Sequence, residues 1–207
     1  MKRFPLALLL LSLLLAMSTN VFAEDADTLT YLLEGKTTQA FTDGAIPQED
    51  LETILLAGVN TQSAMNSQPW HFTVLDADTM ADLGGTGAAP ASAATKAGLS
   101  DAPAAIVISC SDTLKWNAFD AGAACARMAV AANALGYGSK VVAGPCDTIN
   151  ASADYKALCG IHEDMNAIAI LLIGNTAEEV DGASGATQRN PFDEVVTYTA
   201  NFSNLQK

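Results

Sequence analysis

A domain that mixes helices with strands is what the sequence predicts, and three stretches carry that prediction. Leu51, Ile54, Leu55, Gly58 and Val59 recur at the spacing of one helix face, just after Ile46-Pro47, a pair suited to a helix start. Residues Ala104 to Ser109 hold Ile106, Val107 and Ile108 in an unbroken apolar run, the pattern of a strand buried on both faces. Between about Trp116 and Leu135, alanine is so frequent that the helix is apolar on almost every side. A chain of 207 residues can close one sizeable core around such elements.

At the start of the chain, Lys2 and Arg3 precede the apolar run Leu6 to Leu15, and Val21-Phe22-Ala23 precedes Glu24. That is the layout of a secretory signal peptide over residues 1–23, with an apolar run too short for a membrane span. Residues 24–207 are then one exported domain, periplasmic or extracellular. Losing Lys2 and Arg3 takes the net charge from −13 to −15, which argues against nucleic acid or anionic membrane as partners. Asp25 to Glu34 reads as a helix with Leu29, Leu32 and Leu33 on one face and Gly35 to end it; Lys36 to Phe41 is a polar connection.

Glu49 and Asp50 sit where the first turn of the next helix favours negative charge. After a strand from His71 to Leu75, the Ala-, Gly-, Thr- and Ser-rich stretch Asp76 to Ala94 reads as a loop, either a flap over a pocket or a loose surface segment. Its Gly84-Gly85-Thr86-Gly87 lacks the Lys-Ser or Lys-Thr that would make it a phosphate loop. The Ala-rich helix, buried all round in so small a domain, predicts that a second copy of the chain supplies part of its cover. Gly136-Tyr137-Gly138 ends that helix and precedes a strand at Lys140 to Ala143. Glycines before a strand reverse the dinucleotide fingerprint, so a Rossmann site is rejected.

Thr148 to Leu158 reads as one short helix, Asn166 to Ile173 as the last core strand, and Val195 to Thr199 as a β-rich arm that covers a neighbour. The four cysteines, Cys110, Cys125, Cys146 and Cys159, match no metal-binding spacing. In an exported chain Cys146 and Cys159, flanking one helix, either form a bridge or stay buried as free thiols.

The stretch Gln62 to Phe72 joins the first long helix to the first strand. Pro69 biases Gln68 toward extended backbone and cannot donate to a ladder, so the strand should begin just after it. Trp70 and Phe72 alternate with His71 and Thr73, as on a half-buried strand; His71 is expected to be a hydrogen-bonded structural residue rather than a base. Ser63, Asn66, Gln68, Pro69 and Trp70 stand at the offsets found in the nitroreductase family of flavin enzymes, and this segment resembles the Ser-rich turn that leads into that family's first core strand. The resemblance extends from about Leu32 to Val196. It implies an α+β, three-layer α/β/α fold with a central, mostly antiparallel sheet. It further implies a homodimer with two flavin mononucleotides (FMN) at the subunit interface, and reduction of nitroaromatic, quinone-like or related small electrophiles.

By that resemblance Lys36, Thr37 and Gln39 fall on the first cofactor segment, and Ser63, Ala64 and Asn66 on the part reaching over from the partner subunit. Gly144, in Val141-Val142-Ala143-Gly144, falls on the segment at the flavin ring edge, and Arg189 on the C-terminal phosphate-binding arginine. Thr37 can donate a hydroxyl to a phosphate and Arg189 a charge-assisted fork, while the Asn66 amide can read the polar edge of the ring. The flavin carries the hydride chemistry, so no catalytic side chain and no metal is called for. The family's pattern has an arginine where Gly35 stands and a basic residue where Gln39 stands. A neutral donor near the reduced flavin predicts weaker cofactor retention and a lower reduction potential. NAD(P)H is the family's usual electron donor, but nicotinamides are scarce outside the cytoplasm, which leaves the donor open. The alternative is a catalytically reduced member that binds flavin or another ligand.

Overall fold

In the computed structural model, residues 28–33, 37–85, 102–176 and 189–198 are described. The signal peptide, Gly35, Lys36, residues 86–101 and Thr199 lie outside them.

Four strands form one antiparallel sheet: β1 Trp70–Leu75, β2 Ala104–Ser111, β3 Gly138–Val142 and β4 Met165–Gly174, in spatial order β1-β2-β4-β3. Strand residues alternate between faces, and both faces of the two central strands are apolar, so the sheet is covered twice. Ile106, Ile108 and Cys110 of β2 join Leu171 and Ile173 of β4 in a core closed by helices α1 Gln48–Val59 and α3 Asn117–Ala134. Ala105, Val107, Ile170 and Leu172 face the other way, toward α2 Ala77–Gly85, α4 Gly144–Asn150 and α5 Ala153–Leu158. The result is the α+β, three-layer arrangement with an antiparallel centre.

Pro47 sits at the N-cap of α1, and β1 begins at the residue after Pro69, as the sequence requires. The register between β2 and β4 slips after Ile108, which pairs with Ala169 while Ser109 pairs with Ala167. β3 pairs only with Ile170–Gly174 of β4. Where β3 stops, Asn150 takes over: its side chain accepts from Ala167 N and donates to Ala167 O, both at 2.8 Å, and so satisfies the strand edge as a neighbouring backbone would.

Several elements depart from the sequence expectation. Residues 77–85 are helical rather than loop, because Asp76 Oδ1 accepts from Thr79 N at 2.7 Å and Met80 and Leu83 come round onto the core. That N–H holds the Asp76 carboxyl below its ordinary value. Burying two such side chains stabilises by about 1.5–3 kcal/mol each, enough to override weak helix propensity. The expected helix Thr148 to Leu158 is two helices, broken where Asn150 turns to β4 and Ser152 caps α5 by accepting from Tyr155 N. Cys146 therefore lies inside α4, and all four cysteines are free and buried.

The tail holds a single helical turn, α6 Phe192–Val195, just before the expected β-rich run; Pro191 starts it, Asp193 and Glu194 suit its first turn, and Val196 after it is extended. In the single chain α3 keeps an open face, where the sequence predicts that a second copy supplies part of its cover. Phe119 is 76% exposed, Gly122 and Ala126 are also exposed, and a shallow apolar groove of about 360 Å³ runs between Ala57 and the Ala126–Val130–Ala134 face.

Candidate functional site

The strand registers decide which expected site residues meet. Trp70 pairs with Cys110 and Cys110 with Asn166, so β1 begins, β2 ends and β4 begins at one end of the sheet; β3 runs toward that end but stops short of it, Val142 pairing with Ile170, level with Val107 and Thr73. The Ser63–Gln68 turn enters β1 there on one edge. Gly144 follows β3 on the other edge, two residues beyond Val142. Three strand spacings separate these edges, roughly 14 Å.

Thr37 and Gln39 lie at the opposite end of β3. Between them Thr38 is buried, and its N–H donates to Ser139 O at 3.1 Å. Gly138 makes that approach possible, since a Cβ there would come 2.3 Å from Thr38 Oγ1 and 2.3 Å from Thr176 Cγ2. The 37–39 segment is thus pinned at one end of β3 and Gly144 leaves the other, about 14 Å along an extended strand. Gln39 is exposed, and its Nε2 donates to Thr37 O at 3.3 Å. Arg189 is exposed on the segment that leads into α6. Lys36 lies outside the described residues.

The Ser63–Gln68 turn is tightly specified. Residues Ala64–Asn66 form a 3₁₀ turn, yet Met65 and Asn66 have φ of 55° and Gln68 has φ of 44°. Left-handed backbone at three non-glycine residues costs of order 1–3 kcal/mol each and persists only where other contacts over-determine it. Those contacts are on hand: Ser63 Oγ accepts from Gln68 N at 2.9 Å, Asn66 N donates to Ser63 O at 3.0 Å, and Ala64 N donates to Asp120 Oδ2 at 2.9 Å. They leave the Asn66 side chain at the exposed tip.

Asp120 is the residue behind this turn that sequence reasoning missed. It is 4% exposed, sits in the first turn of α3, and fixes the turn from beneath. The signal was an acidic residue in a helix otherwise made of alanines, where a buried carboxylate needs a reason.

Other titratable groups are settled by burial. Cys146 is pushed up to about 12 and Cys125 and Cys159 to about 11, first by desolvation, so these thiols stay protonated. Burial, helped by the neighbouring His162, holds His71 below its ordinary value. Its ring meets His162 edge-on, with centroids 4.7 Å apart.

A pinned segment and a glycine at the two ends of one edge strand, and a strained amide-bearing turn at the far edge, are thus the positions of the expected site residues on a three-layer α/β/α scaffold. The family model of the nitroreductase family matches residues 34–175, and the chain belongs to that family. Among curated relatives, a candidate NADH dehydrogenase/NAD(P)H nitroreductase of Archaeoglobus fulgidus is 28% identical over 173 residues, covering 80% of this chain and 94% of that protein. Among solved structures, a nitroreductase with bound FMN from Bacteroides fragilis superposes with a TM-score of 0.69 at 20% identity, over 84% of this chain and 99% of that one. A candidate nitroreductase in complex with FMN from Desulfovibrio desulfuricans gives 0.66 at 23% identity, over 84% and 97%.

Proposed function

We propose that this protein is an exported FMN-dependent oxidoreductase that works as a homodimer and reduces small electrophiles such as nitroaromatics or quinones. The observation that carries the reading is the split placement of the site. Thr37, Gln39 and Gly144 share the β3 edge, whereas Ser63, Ala64 and Asn66 sit at the other edge. In a dimer of two chains related by a two-fold axis, a flavin held at the β3 edge of one chain would meet the Ser63–Asn66 turn of the other. The exposed Phe119–Gly122–Ala126 face of α3 offers the surface for that pairing.

The residues present fit the cofactor. The pinned 37–39 segment offers a hydroxyl and an amide to a phosphate, joined by the guanidinium of Arg189. Gly144 carries no side chain, so its backbone can approach a planar ring closely. Asn66 of the second chain offers one donor and one acceptor to the ring's polar edge. Bound flavin supplies the hydride chemistry. The chain's own residues bind it, orient it and shield one face from water. With Gln39 in place of a basic side chain, no fixed positive charge comes from that position toward the reduced ring. The donor is NAD(P)H or a reduced carrier available outside the cytoplasm.

Mixing the purified protein with FMN, then anaerobically with NADH, NADPH and reduced quinones, tests the proposal. The expected result is a flavin spectrum at one FMN per chain that bleaches with at least one donor. A protein that takes up no FMN overturns the reading. One that binds FMN but is bleached by no donor favours a ligand-binding role instead.

A further inference from the structure

The chain contains two histidines, far apart in sequence, and the fold brings them together. His71 lies on β1 and is half-buried; His162 lies in the turn before β4 and is exposed. Neither belongs to the flavin reading above.

The turn that carries His162 is fastened in place. Gly160 has φ of 61°, and a Cβ there would come 3.2 Å from Thr73 Cγ2, so this backbone lies directly against β1. Thr73 Oγ1 donates to Gly160 O at 3.5 Å. On the far side Lys156 Nζ donates to Glu163 O at 2.9 Å, and Met165 N donates to His162 O at 3.0 Å. On β1, the backbone of His71 accepts from Ser109 Oγ at 3.3 Å. Both imidazoles are therefore mounted on fixed backbone.

Two imidazoles that share one metal at bonds of about 2.0–2.1 Å have ring centroids about 4.5–5.2 Å apart, for angles at the metal between square-planar and tetrahedral. The observed separation is 4.7 Å. We propose that His71 and His162 form a two-imidazole site for a late first-row divalent cation, Zn²⁺ or Cu²⁺. The outer torsion of histidine is broad, so each ring is free to turn a nitrogen toward an ion held between the two. Imidazole selects these cations over Mg²⁺ or Ca²⁺, which prefer oxygen. Among the described residues no cluster of three or more His, Cys, Asp or Glu side chains surrounds them, so water completes the coordination and the ion is exchangeable. Glu163 and Asp164 follow His162, and a chain of net charge −13 draws cations toward the site.

The test is titration of Zn²⁺ and of Cu²⁺ into the folded protein, purified without a histidine tag, followed by calorimetry and by NMR of the histidine rings. The expected result is one equivalent per chain, with both histidines shifted by Zn²⁺ and both broadened by Cu²⁺. His71→Gln and His162→Gln should each weaken binding at least tenfold, and Mg²⁺ should give no ring shift. His162 is exposed, so its variant keeps the test usable if the His71 variant folds poorly. Binding retained within threefold in the His162 variant, perturbation of one ring alone, or no binding below about 1 mM metal would overturn the proposal.

Discussion

Replacing Asp120 by alanine removes the one charged group that holds the Ser63–Gln68 turn from below. The Ala64 N–H is then left without its acceptor at 2.9 Å. A hydrogen bond to a charged group contributes about 1.5–3 kcal/mol, and a part-buried donor left unsatisfied costs a similar amount, so the folded state should lose about 2–3 kcal/mol. The larger consequence is local. Met65, Asn66 and Gln68 are held at positive φ, and their strain of order 1–3 kcal/mol each is released once the clamp is gone. If about 2 kcal/mol of that strain drives the turn into other conformers, the binding-competent fraction drops to about one in thirty, and apparent FMN affinity falls by the same factor. Asp120→Asn keeps an acceptor oxygen without the charge and should lie between the two. Urea denaturation gives the stability and flavin fluorescence titration the affinity. A loss below about 0.5 kcal/mol in Asp120→Ala, or a full stability loss with FMN affinity unchanged, would show that Asp120 does not position the turn.

Further expectations rest on other parts of the molecule. Gly138→Ala places a methyl within 2.3 Å of Thr38 Oγ1 and Thr176 Cγ2; overpacking of this kind costs about 1–3 kcal/mol, and because the 37–39 segment must shift, FMN affinity should fall with the urea midpoint, whereas loss of stability alone would separate that segment from the cofactor. Cys146, held at about 12, carries about a thousandfold less thiolate at pH 8 than a thiol at the ordinary 9.0; it should resist iodoacetamide until the protein unfolds, and mass spectrometry finding it alkylated in native protein would contradict the burial. Gln39→Arg adds a charge-assisted donor near the reduced flavin, worth about 1–2 kcal/mol or about 20–40 mV for a two-electron couple. Redox titration should find the midpoint raised, and an unchanged or lower value would place Gln39 away from the ring.

The parts of the fold that could be read from sequence are those where one local signal dominates. Pro47 and Pro69 mark the start of α1 and of β1 because a missing N–H and a fixed φ leave few alternatives. Ile106-Val107-Ile108 marks a central strand because only a sheet covered on both faces tolerates such a run. Where the deciding contact is distant, local reading fails. Residues 77–85 look like loop because Ala, Asp, Thr and Gly dominate them, and only the core into which Met80 and Leu83 pack makes them a helix. Asn150 and Ser152 split one expected helix in two, because one side chain is needed by Ala167 and the other caps the next turn. In the tail, Pro191 with Asp193 and Glu194 is enough for a helical turn that sequence reasoning did not expect, just before the Val195 to Thr199 run of strand composition.

The expected site residues could be listed from the sequence, but their arrangement could not. A motif names Ser63, Asn66 and Gly144, but their relation depends on strand order, and β1 and β3 occupy opposite edges only because β4 returns between β2 and β3. With β1 beside β3 the same residues would instead lie on neighbouring strands. The Ala-rich helix makes the same point from the packing side. Its composition suggested burial with a second copy supplying part of the cover, and in the single chain Phe119 and its neighbours are open, an apolar face of the kind a partner would cover.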